Sequence, residues 1–167
     1  MKRLTNLNEV LAQQLEGMYH GEKQLQHELP TFSEGVQHVR LKEEMTKYIE
    51  RSVEKRSKLK RIFSYLLVPN TKRKSNVVEV LFKEAREMAD KTSEGYLRDT
   101  VFTACLQSIN HYNAANYRAA LALAVELNLE QVTDLLHEIL QCENETFLAL
   151  EKIAFEELRK HESVAST

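Results

Sequence analysis

Two glutamates stand where hydrocarbon is expected. Between Leu7 and Val36, the residues Leu11, Met18, Glu22, Leu25 and Leu29 recur at the spacing of a single helix face, with Glu22 in their midst. Downstream, Val132, Leu136, Ile139, Glu143 and Leu150 repeat the pattern around a second carboxylate. An ionised carboxylate inside a core is costly unless a cation, a proton or hydrogen bonds satisfy it. Such a pair therefore implies a metal ion, a protonated acid or a polar network. Two other segments supply candidate partners at similar depth. Tyr48 and Ser52 share an apolar stripe with Arg51 beside them, and Asn110, His111 and Asn113 belong to the stretch NHYNAANY from Asn110 to Tyr117.

These residues need long helices to hold them. Apolar residues recur three and four apart in four long segments: Leu7–Val36, Leu41–Leu67, Tyr96–Leu127, and from Asn128 to about Arg159. Pro30 interrupts the first without ending its apolar spacing, so a bend is expected there. A shorter helix is expected over Val77–Lys91, opened by a capping box of Asn76 and Glu79. Asn128, with Gln131 after it, is the expected N-cap of the last helix. Four long helices with a long crossover between the second and third give an all-α, ferritin-like four-helix bundle carrying a short extra helix in that crossover.

Composition sets the bounds. The 167 residues suit one domain, expected over 1–161 with a disordered tail at 162–167. Four glycines leave little from which to build a phosphate-binding loop, and no HExxH or Ser-His-Asp pattern occurs. Cys105 and Cys142 are expected to act as small buried hydrophobes. No run of about 18 apolar residues could span a membrane. MKRLTNLNEVLAQQ lacks the apolar region of a secretory signal, so the cytoplasm is the expected compartment. Nine basic residues fall between Arg51 and Lys74 (Arg51, Lys55, Arg56, Lys58, Lys60, Arg61, Lys72, Arg73 and Lys74), against the single acid Glu54. A nucleic-acid interface is one reading of this run; a helix face matched by the acidic segment 126–157 is the preferred one.

The stretch YHGEKQLQHELP, from Tyr19 to Pro30, resembles the Y-x-x-E-K-Q-L-x-x-x-L-P signature of the YciE/YciF-type family of ferritin-like bacterial proteins. KEAREM around Glu84, the pair Arg98-Asp99, HYNAANY, and LLHEILQCENET on the last helix are similar to further family motifs. The resemblance implies a di-metal carboxylate ancestry and an association with stress responses. It also implies that Glu22, Tyr48, Arg51, Asn110, His111, Asn113, Cys142 and Glu143 occupy the metal-site positions. Only Glu22, His111 and Glu143 keep residue types that could ligate iron or another divalent metal. The others replace carboxylates and a histidine with Arg51, Asn110, Asn113, Cys142 and Tyr48. The expectation is a site without metal, in which Arg51 replaces the cation by pairing with Glu22, Glu143 or both. The expected function is that of a non-catalytic structural or interaction protein, forming a homodimer. The alternatives are a metal-dependent oxidase or iron-handling protein using Glu22, His111 and Glu143, and a nucleic-acid-binding module using residues 51–74.

Overall fold

A computed structural model describes the backbone of residues 3–69 and 74–165 and the side chains up to 156. Five helices follow in order: α1 (Leu7–Glu34), α2 (Val39–Tyr65), α3 (Val77–Ala89), α4 (Tyr96–Glu126) and α5 (Glu130–Ala165). Helix α1 packs on α2, α2 on α5, α5 on α4 and α4 on α1, which closes a four-helix ring. The short α3 lies against α1 and α4. Among the described residues no helix is long and apolar enough to cross a membrane. Helix α5 continues through Ala165, beyond its expected end near Arg159, so the segment expected as a tail begins as helix. Residues 166 and 167 lie outside the described residues.

The core falls into two apolar clusters, one at each end of the bundle. One joins Leu11 and Leu15 of α1 to Leu59 and Ile62 of α2, Ala120 and Ala124 of α4, and Val132 and Leu136 of α5. The other joins Leu25 and Leu29 to Leu41 and Met45, to Phe82 of α3, to Leu106 and Ile109, and to Leu150 and Ile153. The start of α1 therefore lies beside the end of α2, the end of α4 and the start of α5. This makes α2 and α4 parallel, which is why a long crossover must join them. The midpoints of all four long helices meet between the clusters, and buried Glu22, Ser52, Lys55, Asn110, Asn113 and Glu143 lie there.

Local chemistry fixes the ends. The Asn6 side chain accepts from the Glu9 N–H at 3.0 Å, and Glu9 Oε2 accepts from the Thr5 N–H at 2.8 Å, a reciprocal cap at the start of α1. Asp99, buried in the first turn of α4, accepts from the Gln37 and His38 N–H groups at 3.0 and 2.8 Å. It thereby ties the α1–α2 loop to α4. Gly95 precedes α4 at φ 93°, ψ −144°, a conformation essentially restricted to glycine. Helix α1 runs on through Pro30.

Two expected caps are corrected. Asn128 does not open α5. It closes α4 with φ 55°, its N–H donating to Val125 O and the Leu129 N–H to Ala124 O. That is a Schellman ending, in which asparagine tolerates the left-handed conformation, and α5 begins only at Glu130. Asn76 precedes α3 without a side-chain cap, because Glu79 accepts instead from Gln24 on α1. Leu67 also adopts a positive φ, 53°, in the matching turn after α2, and its side chain is 91% exposed.

Candidate functional site: a buried ammonium between two carboxylates

The α2 stripe is Leu41, Met45, Tyr48, Ser52, Lys55, Leu59 and Ile62, all buried. Its steps of three and four residues keep one face toward the bundle axis, so Lys55 has no route to solvent. The Lys55 side chain is 1% exposed, and Nζ lies 2.7 Å from Glu22 Oε1 and 2.5 Å from Glu143 Oε1. Its ammonium also faces the rings of Tyr48 and Tyr117, 5.3 and 5.9 Å from their centroids.

The remaining carboxylate valences are met from the same four helices. Tyr117 OH donates to Glu22 Oε1 at 2.9 Å, and Ser52 Oγ donates to Glu22 Oε2 at 2.6 Å. Asn110 Nδ2 donates to Glu143 Oε2 at 2.5 Å. Every oxygen of the two buried carboxylates thus has a donor, which is what such burial requires. The Tyr48 hydroxyl and Asn113 Nδ2, both shielded from solvent beside the triad, make no hydrogen bond of ordinary geometry, although Asn113 and Asn110 lie close enough to the phenol to act on it.

The electrostatics follow from this geometry. Burial opposes the Lys55 charge, but Glu143 and Glu22 outweigh it and hold the ammonium above the usual lysine range. Burial also pushes the Glu143 carboxyl up; Lys55 opposes that and Glu22 adds to it. Burial, reinforced by Glu143 and Glu22, raises the Tyr48 phenol well above its ordinary value, and burial with Glu22 and then Glu143 does the same for Tyr117.

The structure separates the residues that the sequence grouped. Glu22, Tyr48, Asn110, Asn113 and Glu143 are buried where the long helices meet. Arg51 is not the counter-ion of Glu22 or Glu143. One position off the stripe, it turns to the α2–α5 edge, where Nη1 donates to Glu44 Oε1 at 2.6 Å and to Thr146 Oγ1 at 3.1 Å. His111 is exposed on the outer face of α4, its ring edge-on to Phe147 with centroids 5.3 Å apart. Cys142 is half-buried, and its carbonyl accepts from Thr146. Burial lifts the Cys105 thiol to about 12 and raises that of Cys142, so neither is primed as a nucleophile.

The residues at the centre do not fit the di-metal group that the fold implies. An ammonium lies between the two carboxylates, His111 is exposed beside Phe147, and the amides of Asn110 and Asn113 and the phenol of Tyr48 stand at positions where the family resemblance implies carboxylates and a histidine. Among the described residues no three His, Cys, Asp or Glu side chains are grouped so as to hold a metal ion. The basic run is likewise partly engaged within the fold. Besides Lys55 and Arg51, Lys58 pairs with Glu138 at 3.1 Å, and Arg56 donates to Gln26 and Tyr19 at 2.7 and 3.0 Å. Lys72 and Arg73 lie outside the described residues.

Sequence reasoning missed Lys55 and Tyr117, although each had a signal. Lys55 follows Ser52 on the stripe by three residues, and Tyr117 follows Asn110 by seven, two helical turns along the same face.

The family described as "Domain of unknown function (DUF892)" matches residues 6–162. Protein YciF of Escherichia coli K12 is 25% identical over 158 residues, which are 94% of this chain and 95% of YciF. The crystal structure of YciF, described as a stress protein, superposes with a TM-score of 0.89 at 23% identity, covering 94% of this chain and 99% of that one. YcfI of Rhodopseudomonas palustris, described as a candidate structural protein, gives a TM-score of 0.86 at 23% identity, covering 90% of this chain and 96% of the other.

Proposed function

We propose that this chain, which belongs to the DUF892 family, is a non-catalytic structural or interaction protein whose bundle is held at its centre by an internal ion triad. The observation that carries this reading is the Lys55 ammonium between Glu22 and Glu143. An ammonium neutralises carboxylates and orients them by hydrogen bonds, but it offers no coordination position to a substrate and cannot change oxidation state. The bundle is kept while one ammonium and the hydrogen bonds of Ser52, Tyr117 and Asn110, all from within the chain, offset the two carboxylates. The description of YcfI as structural and of YciF as a stress protein agrees with a supporting role made under stress. A cytoplasmic homodimer is part of the same proposal.

Elemental analysis of protein expressed in iron-supplemented medium, together with a ferrous-oxidation assay, tests it. Less than a tenth of a metal ion per chain and no oxidation above the protein-free rate are expected. One or two ions per chain would restore the alternative of a metal-dependent oxidase. The exposed position of His111, its ring edge-on to Phe147, speaks against that alternative. The engagement of Arg51, Lys55, Arg56 and Lys58 within the fold speaks against nucleic-acid binding through the basic run.

A further inference from the structure

We infer that Lys55 and Glu143 condense, slowly and within the folded chain, into an isopeptide bond that ties α2 covalently to α5, with Glu22 relaying the proton. The inference rests on the reading of these three residues as a buried ion triad and deepens it from a salt bridge to a bond. An amine is acylated when it is held against a carboxyl group, given a base and kept from water. Lys55 Nζ lies 2.5 Å from Glu143 Oε1, so the carboxyl carbon is at most one C–O bond, about 1.2 Å, further away. Groups fixed in this way react as though each were present at ~10⁵–10⁸ M. Glu22 Oε1, 2.7 Å from the same nitrogen, is the base. All three side chains are buried between the two apolar clusters, so little water reaches the bond to hydrolyse it. Their surroundings tell the two carboxylates apart. Glu22 is fixed by the Ser52 and Tyr117 hydroxyls at 2.6 and 2.9 Å. Glu143 Oε2 accepts from Asn110 Nδ2 at 2.5 Å, a donor placed to stabilise the oxyanion that forms as nitrogen attacks. The Tyr48 hydroxyl and Asn113 Nδ2, buried without a hydrogen bond of ordinary geometry, are spare donors beside it.

The step balances without another reactant. Lys55 passes one proton to Glu22, and the freed Nζ lone pair bonds to Glu143 Cδ. The Cδ–Oε1 bond of the tetrahedral adduct then breaks, and that oxygen leaves as water with one proton returned by Glu22 and one from the nitrogen. Of the ammonium hydrogens, one stays on the amide and the others leave in the water. One positive and one negative charge vanish together, and nothing is oxidised or reduced. A cleft of about 240 Å³ between α4 and α5, lined by Glu143 and Asn110, gives the water a way out.

Intact mass under denaturing conditions, taken on the full wild-type chain at purification and through days of incubation at neutral pH, reads the bond. A species lighter by one water molecule should accumulate with time, and digestion should yield a branched peptide joining Lys55 to Glu143. Chains kept unfolded in urea should not form it. Glu22→Gln, which keeps both reactants, should form it at least ~100-fold more slowly, and Lys55→Arg not at all. A folded wild type that keeps its full mass throughout overturns the proposal, whatever the variants do. So does a lost water mapped to any other pair, Lys55 with Glu22 included, or a Glu22→Gln variant, helical by far-UV circular dichroism, that links as fast as the wild type. Full mass in a metal-free protein leaves the ion triad standing, whereas bound metal overturns the triad reading above, so the two failures are distinguishable.

Discussion

Replacing Lys55 with methionine keeps an unbranched side chain one atom shorter and removes its charge. Glu22 and Glu143 are then left about 1% exposed with no cation between them. Breaking a buried ion pair from one side costs about 3–5 kcal/mol, because the orphaned charge stays desolvated. For a domain of this size each kcal/mol moves Tm by about 2–4 °C, so Lys55→Met should melt about 6–20 °C below the wild type at pH 7. The loss should depend on pH with a definite sign. In the variant the Glu143 carboxyl, which burial already pushes up from the ordinary glutamate value, would lose the Lys55 charge that opposes that rise. A group with a raised folded pKa stabilises below its unfolded pKa and loses that contribution as pH rises. The deficit should therefore shrink toward pH 4–5, read as the difference between wild-type and variant urea midpoints across pH. Neutralising the acids as well, with Glu22→Gln and Glu143→Gln, should recover more than half of the loss, since balanced removal of a buried ion group is far less costly than removing one partner. A Lys55→Met variant within about 1 kcal/mol of wild type at pH 7, or equally destabilised at pH 5 and pH 7, would refute the reasoning.

The wild type should lose stability as pH climbs beyond about 10. Lys55, Tyr48 and Tyr117 all keep their protons to higher pH when folded than at their ordinary values of 10.5, 10.0 and 10.0, so the folded state binds more protons throughout that window; equilibrium unfolding at pH 9 and pH 11 checks it. Gly95→Ala should cost about 1–3 kcal/mol by forcing a Cβ into a conformation essentially reserved for glycine, seen as a lower urea midpoint with an unchanged slope. Leu67→Gly should stabilise by about 1 kcal/mol, because the leucine holds φ 53° while its side chain is almost wholly exposed, and differential scanning calorimetry would register the rise.

What the sequence determined by itself was the architecture and the depth of the two acids. A 3.6-residue period repeated over four long segments leaves few ways to bury the apolar faces, and Glu22 and Glu143 lie on those faces at mid-helix. Family likeness then drew attention to Arg51, because it stands where a ligand would. The helical phase already disagreed, since Ser52 and Lys55 continue the buried stripe and Arg51 lies one step off it. Period alone could not say which cation meets the carboxylates, because that depends on how α1, α2 and α5 are rotated about their axes when they pack. The same rotation turns His111 outward beside Phe147 and brings Tyr117 inward onto Glu22. Caps escaped for a related reason: Asn76 and Asn128 have the right residue types, but Gln24 of α1 engages Glu79 and the end of α4 takes Asn128 into a left-handed turn. Side-chain chemistry and periodicity are local and can be read along the chain. The identity of a partner across the bundle is settled only when four helices choose their faces together.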